Sequence, residues 1–212
     1  MTLKLDRAHN RLYDGRGRRF MPGERIWAET GPEVPPAGPV EPLSPQAAVA
    51  WLQRDSGQPL RAPVGVVGGR SATTGELEIA EALGAGLADL GLTVLCGGRE
   101  GVMEAVCRGV ASRGGLSVGL LPDDSWTAAN PFVTLPLATG LGVAHNAVVA
   151  RAAVCLLAVG GGYGTTSEMA FALQFGRPVL ALGNAPDLPG VVRLGSVEDA
   201  LTALCERLLD LP

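Results

Sequence analysis

The stretch VCLLAVGGGYGTTSE, residues 154–168, decides the fold. Its opening run is apolar throughout and does not alternate with polar residues, which reads as a strand covered on both faces, as in a parallel sheet. A glycine-rich turn follows at once. TTSEMAFALQF, residues 165–175, then continues as a helix that is apolar nearly all round after its first turn. Strand, glycine turn and helix form the repeating unit of a doubly wound sheet. The turn offers backbone N–H groups and hydroxyls from Gly160, Gly161, Gly162, Tyr163, Gly164, Thr165 and Thr166. Glycine lets a backbone approach a phosphate without a Cβ in the way, and a helix N-terminus favours an anion. Geometry alone accounts for glycine in a tight turn. Consecutive glycines backed by hydroxyls point further, to phosphate binding.

Outward from this segment the same unit recurs. Apolar runs at 64–67, 92–96, 116–121 and 178–182 predict strands, with a weaker one at 131–135 and a last short one at 191–194. Between them lie amphipathic helices. In 74–90, Leu77, Ala80, Leu83, Leu87 and Leu90 form one stripe, Glu76, Glu78, Glu81 and Asp89 face out, and Thr73 with Glu76 forms a capping-box pattern. The fold class expected is α/β: a doubly wound, mostly parallel, Rossmann-like sheet with a small N-terminal hairpin and helix extension.

Two further glycine turns end strands of this sheet: Gly68, Gly69, Arg70 and Ser71, then Gly97, Gly98, Arg99, Glu100 and Gly101. In a parallel sheet all strand C-termini share one edge, so the three turns should converge where open α/β sheets bind ligands. Arg70 and Arg99 stand at equivalent places after the glycine pairs. A guanidinium suits a phosphate, although each could be a surface arginine. No lysine follows the glycines, so there is no Walker A loop, and GxGxxG fails because Ser167 occupies its third glycine position. Glu168 has two readings. It is a favourable charge in a first helical turn, or it faces a ribose hydroxyl or a sugar carbon that becomes cationic during bond cleavage.

The chain has 212 residues, 30 Gly, 16 Pro and 4% aromatic residues, long enough for a core without staples. Proline dominates the first third and glycine the rest. This places a boundary near Ala62-Pro63, with an N-terminal extension at 1–62 and the doubly wound sheet domain at 63–212, the part to which the resemblance below assigns nucleotide binding. In the extension, 1–21 predicts a β-hairpin with Leu3 and Leu5 against Leu12 and Tyr13 and a turn at Asp14-Gly15. Residues 28–42 predict an extended loop, and Ser44-Pro45 opens a helix to about Asp55. Cys96, Cys107, Cys155 and Cys205 read as reduced core residues, and His9 and His145 are too few for a His-rich metal site. The net charge of -4 argues against a general nucleic-acid binder. There is no apolar run of membrane-spanning length, and MTLKLDRAHNR is charged where a signal peptide is apolar; the expected compartment is the cytoplasm.

GGGYGTTSE at 160–168 resembles the PGGxGTxxE motif of the LOG family, long mislabelled "lysine decarboxylase", within the SLOG superfamily. GGREGVMEAVCRGVASRGGLSVGLLP at 97–122 resembles that family's second glycine turn and following strand. The resemblance covers about 63–209 and implies a Rossmann-like, usually dimeric, nucleotide-binding domain. Best-known members hydrolyse the N-glycosidic bond of a nucleoside 5'-monophosphate; their motif Glu matches Glu168. Their upstream Arg-Lys pair falls on His145-Asn146 here, and the motif's leading Pro is Gly160. GGGYGT with the upstream Asn146 looks more like the branch of molybdenum-cofactor carrier proteins, which bind a pterin phosphate without chemistry. The resemblance therefore implies a binding or carrier protein for a nucleotide or molybdenum cofactor, with no cofactor needed for catalysis. The alternative is a phosphoribohydrolase using Glu168, with His145 in place of the arginine. Lysine decarboxylase activity does not fit, because no Lys occurs beyond Lys4.

Overall fold

The computed structural model describes residues 2–29 and 40–211. The chain divides into two compact units, Met1–Leu60 with Thr202–Pro212, and Arg61–Leu201. The sequence reading kept the last residues with the second domain; the structure groups them with the first.

The first unit holds β1 (Leu3–Asp6), β2 (Arg11–Tyr13), β3 (Arg19–Met21), β4 (Ile26–Ala28), β5 (Val40–Leu43) and α1 (Pro45–Arg54). The predicted hairpin is present, with Leu5 opposite Leu12, but it belongs to a five-stranded antiparallel sheet in the order β4-β3-β2-β1-β5. The turn expected at Asp14-Gly15 is present and joins β2 to β3. Of the loop expected at 28–42, residues 30–39 lie outside the described residues, while 40–43 pair with β1 as β5. Leu3, Leu5, Leu12 and Phe20 point into the core of this unit. Ser44 caps α1, its hydroxyl accepting from the Ala47 N–H at 3.1 Å, with Pro45 at the first helical position. Near the C-terminus the Trp27 indole donates to the Leu209 carbonyl.

The second unit carries β6 (Val64–Gly68), α2 (Thr74–Asp89), β7 (Val94–Cys96), α3 (Val102–Ser112), β8 (Ser117–Leu121), β9 (Leu135–Ala138), α4 (His145–Ala152), β10 (Leu156–Val159), α5 (Tyr163–Gln174), β11 (Val179–Leu182) and β12 (Val192–Arg193). The last helix, α6 (Val197–Leu208), spans the division between units. The seven-stranded sheet is parallel throughout, in the order β12-β11-β10-β6-β7-β8-β9. Chain order runs outward from β6 in both directions, so the topological switch point lies between β6 and β10. β6, β7, β10 and β11 are buried almost completely, as their uninterrupted apolar runs require.

Two expectations need correcting. The weak strand at 131–135 lies later, at Leu135–Ala138. It is one of the two edge strands, and its Leu135 and Leu137 are exposed. Asn130 bonds instead hold the segment before it: the Phe132 N–H donates to Asn130 Oδ1. Glu76 does not face out. It is buried, with its carboxylate accepting from the Thr73 N–H at 2.9 Å and the Thr73 hydroxyl at 3.0 Å, and it packs against Gly160. The capping box predicted at the start of α2 is otherwise formed as expected. All four cysteines are free and buried. No helix of the described residues is long and apolar enough to cross a membrane.

Candidate functional site

The three glycine turns meet at the switch point. Gly101 sits with φ +75°, and a Cβ there would stand 2.3 Å from the Arg70 carbonyl, so only glycine lets the second turn pass under the first. The Val102 N–H donates to the Gly69 carbonyl across the same junction. Gly69 in turn approaches Gly161, where a Cβ would stand 3.3 Å from the Gly161 Cα. First and second turns, and first and third, are thus in backbone contact.

Beside this junction opens a cavity of about 410 Å³, of the size that takes a small ligand. Its lining draws on every predicted turn. Gly68, Gly69 and Arg70 come from the first, Gly97 and Arg99 from the second, Gly162, Gly164 and Thr165 from the third. His145, Asn146 and Glu168 line it as well. The other candidates do not. Gly98 backs onto Gly119, Gly101 is wedged beneath the first turn, and Gly160 abuts Glu76. Gly161 packs on Thr165, Ser71 is exposed, and Tyr163 projects into solvent at 98% exposure. The Thr166 hydroxyl donates to the Gly162 carbonyl at 2.9 Å and the Ser167 hydroxyl to Gly164 at 2.7 Å, so Thr165 alone of the three hydroxyl residues lines the cavity. The sequence reading did not single out Met103, Pro122 and Val143, which complete the lining. Pro122 was within reach, since it ends the apolar run that became β8.

The helix N-termini at this edge are not equivalent. α2 is closed by its own capping box. α3 and α5 begin at Gly101 and Gly162 with no side-chain cap, which leaves their first N–H groups without a side-chain acceptor. Asn146, nearly buried, donates through Nδ2 to the Ser167 hydroxyl at 2.7 Å and so fastens α4 to the first turn of α5.

Burial favours the uncharged form of two titratable groups that line the cavity. Burial pushes the Glu168 carboxyl up to about 8. Burial also lowers the His145 imidazole, with Arg70 and Arg99 adding to the effect, although the Gly142 carbonyl and Asp123 oppose it. His145 Nδ1 lies 2.8 Å from the Gly142 carbonyl, which favours the Nδ1–H tautomer and leaves Nε2 an acceptor. That nitrogen is 3.4 Å from where a Cβ on Gly97 would stand. Arg99 forms an ion pair with Asp123.

A model of the SLOG cluster4 family matches residues 61–201, the whole of the second unit. The chain belongs to this family. It is 36% identical over 138 residues to an uncharacterized protein of Archaeoglobus fulgidus, covering 65% of this chain and 91% of that protein. Among solved structures it is similar to the molybdenum cofactor binding protein of the phototrophic bacterium Rippkaea orientalis, with TM-score 0.66, 32% identity, and coverage of 70% of this chain and 99% of that one. The molybdenum cofactor carrier protein of Chlamydomonas reinhardtii gives TM-score 0.64, 34% identity, and coverage of 71% and 99%. The SLOG superfamily placement and the leaning toward its carrier-like branch are thereby borne out.

Proposed function

We propose that this protein binds a phosphate-bearing ligand of the molybdenum-cofactor type, a pterin phosphate, and carries it without turnover. The observation that supports this most is one cavity at the switch point onto which all three glycine turns open, with Arg70 and Arg99 lining it beside the uncapped N-terminus of α5. The two structural relatives named for that cofactor support the choice of ligand. In this reading the phosphate takes the N–H groups of Gly162 and Gly164 and the Thr165 hydroxyl, and an uncharged Glu168 donates a hydrogen bond rather than repelling it. The bound cargo would supply its own metal chemistry elsewhere; this chain only holds it.

Expression in a host that makes the cofactor, followed by acid release and fluorescence detection of oxidised pterin, tests the reading. Pterin in stoichiometric amount is expected. Absence of pterin, together with no thermal shift from any phosphorylated ligand tried, sinks it.

The second reading is N-glycosidic cleavage of a nucleoside 5'-monophosphate, favoured by Glu168 lining the cavity. Against it, a carboxyl pushed up to about 8 carries no charge at neutral pH to support a developing oxocarbenium ion. His145, lowered by burial, supplies no cation where the LOG family has arginine. Incubation with AMP should release no adenine; release that Glu168→Gln abolishes would reverse the order of the two readings. The protein also reads as a homo-oligomer. Phe171, Leu173 and Phe175, on α5 and its end, pack against the core yet stay half-buried, which leaves apolar surface for a second copy. Light scattering on the purified protein measures its mass in solution.

A further inference from the structure

The charge of the cavity is set in part by a residue outside the three turns. Asp123 follows cavity-lining Pro122 just beyond the end of β8, and its carboxylate accepts from Arg99. The loop that carries it is fastened to the second turn. Asn130, nearly buried, donates through Nδ2 to the carbonyls of Gly98 at 3.1 Å and Arg99 at 3.0 Å. Arg99 and Asp123 meet through one hydrogen bond only. Arg99 Nε and Asp123 Oδ2 are buried with no hydrogen-bond partner. The guanidinium is therefore neutralised without being locked in a closed fork.

We infer that Asp123 is a specificity-determining residue: by cancelling one of the two arginine charges at this cavity, it suits the site to a single phosphate monoester and turns away ligands with a second phosphate. The inference rests on the reading of the cavity as a phosphate site. Arg70 lines the cavity and makes no ion pair among the described residues. Arg99 is balanced by Asp123, while Glu168 and His145 are uncharged at neutral pH. A phosphate monoester carries about 1.5 to 2 negative charges at pH 7. Arg70 and the uncapped N-terminus of α5, which lines the cavity and is worth about half a charge, supply about 1.5 positive charges against that demand. A second phosphate would find no further cation and would face Asp123.

Titration calorimetry of the full chain at pH 7, with inorganic phosphate and with pyrophosphate, tests this. The natural protein should bind phosphate more tightly than pyrophosphate. In Asp123→Asn, which keeps an oxygen for Arg99 but drops the charge, the ratio should move about tenfold toward pyrophosphate. A ratio that stays put, including equal weakening of both, overturns the inference and leaves Asp123 a structural partner of Arg99. A natural protein that prefers pyrophosphate overturns it as well. If the natural protein binds neither anion, the phosphate-site reading falls first and this falls with it. Should Asp123→Asn fail to fold, Arg99→Gln must shift the ratio the opposite way, toward phosphate, and an unchanged ratio there also overturns the inference.

Discussion

Both units must turn their chain after short strands, and they do so with opposite chemistry. In the first unit the turns are filled by carboxylates. Asp6 accepts from the N–H groups of Ala8 and His9 and from the His9 ring, and Asp14 accepts from the N–H groups of Arg16 and Arg18 and from Arg18 Nε. Each turn thus carries its own anion. In the second unit the turns after β6, β7 and β10 carry glycine, and the helices after two of them start without a side-chain cap. The N–H groups that the first unit satisfies with its own carboxylates are left, in the third glycine turn at the start of α5, without a side-chain acceptor and facing the cavity. A turn built with Asp is finished; a turn built with Gly is open, and only the open kind makes a site.

The comparison can be broken or sharpened at particular residues. Gly101→Val should have the largest effect. It places a β-branched side chain at φ +75° against the Arg70 carbonyl and should cost about 3 kcal/mol or more in urea unfolding. A native-like midpoint would mean that the turns do not need their close approach. Asp14→Ala should cost about 2 kcal/mol, because it removes the buried carboxylate that accepts from the N–H groups of Arg16 and Arg18 and from Arg18 Nε. It should leave ligand binding at the cavity as it was; altered binding would show that the first unit's turns bear on the site. The Asp14 carboxyl, despite the upward push of burial, is held below its usual value by Arg18 and Arg16. Its contribution is therefore present above the unfolded value of 3.8 and lost as the pH falls through the lower folded value.

Glu168 gives the opposite pH signature. Its folded value of about 8 lies above its ordinary 4.5, so its contribution to stability is complete below pH 4.5 and is lost as the pH rises to about 8. Binding of sulfate, whose charge is constant across this range, should weaken about tenfold as Glu168 ionises beside it. Both slopes should flatten in Glu168→Gln; an unchanged slope assigns the titration to another group. The smallest effect belongs to Thr166→Val. Its hydroxyl is already committed to Gly162, so phosphate affinity should change by less than about twofold. A larger loss would put Thr166 in the site.

The second unit was legible in the sequence because burial on both faces writes itself as unbroken apolar runs, and Val64–Gly68 and Leu156–Val159 fall where those runs lie. The turns were legible for the same reason that they are open: glycine stands where a Cβ would collide. Less could be read where structure depends on distant partners. β3 and β4 are three residues each, and an isolated strand of that length carries no periodicity to detect. β9 is exposed at both leucines, so the neighbouring PFVTL looked the better strand. Glu76 seemed a surface charge from its spacing, yet the capping box draws it inward. Asp123 was invisible as a partner of Arg99 because the two lie 24 residues apart and meet only once β7 and β8 are paired.

The grouping of Thr202–Pro212 with Met1–Leu60 has a consequence for how the molecule is made. The second unit is one continuous run of chain, Arg61–Leu201, and can close its sheet during synthesis. The first unit cannot be completed until Thr202–Pro212 have been made and the Leu209 carbonyl reaches the Trp27 indole. The unit begun before the second is thus finished after it, and a chain cut after Leu201 would leave the cavity residues in place while the Trp27 indole still lacked its acceptor.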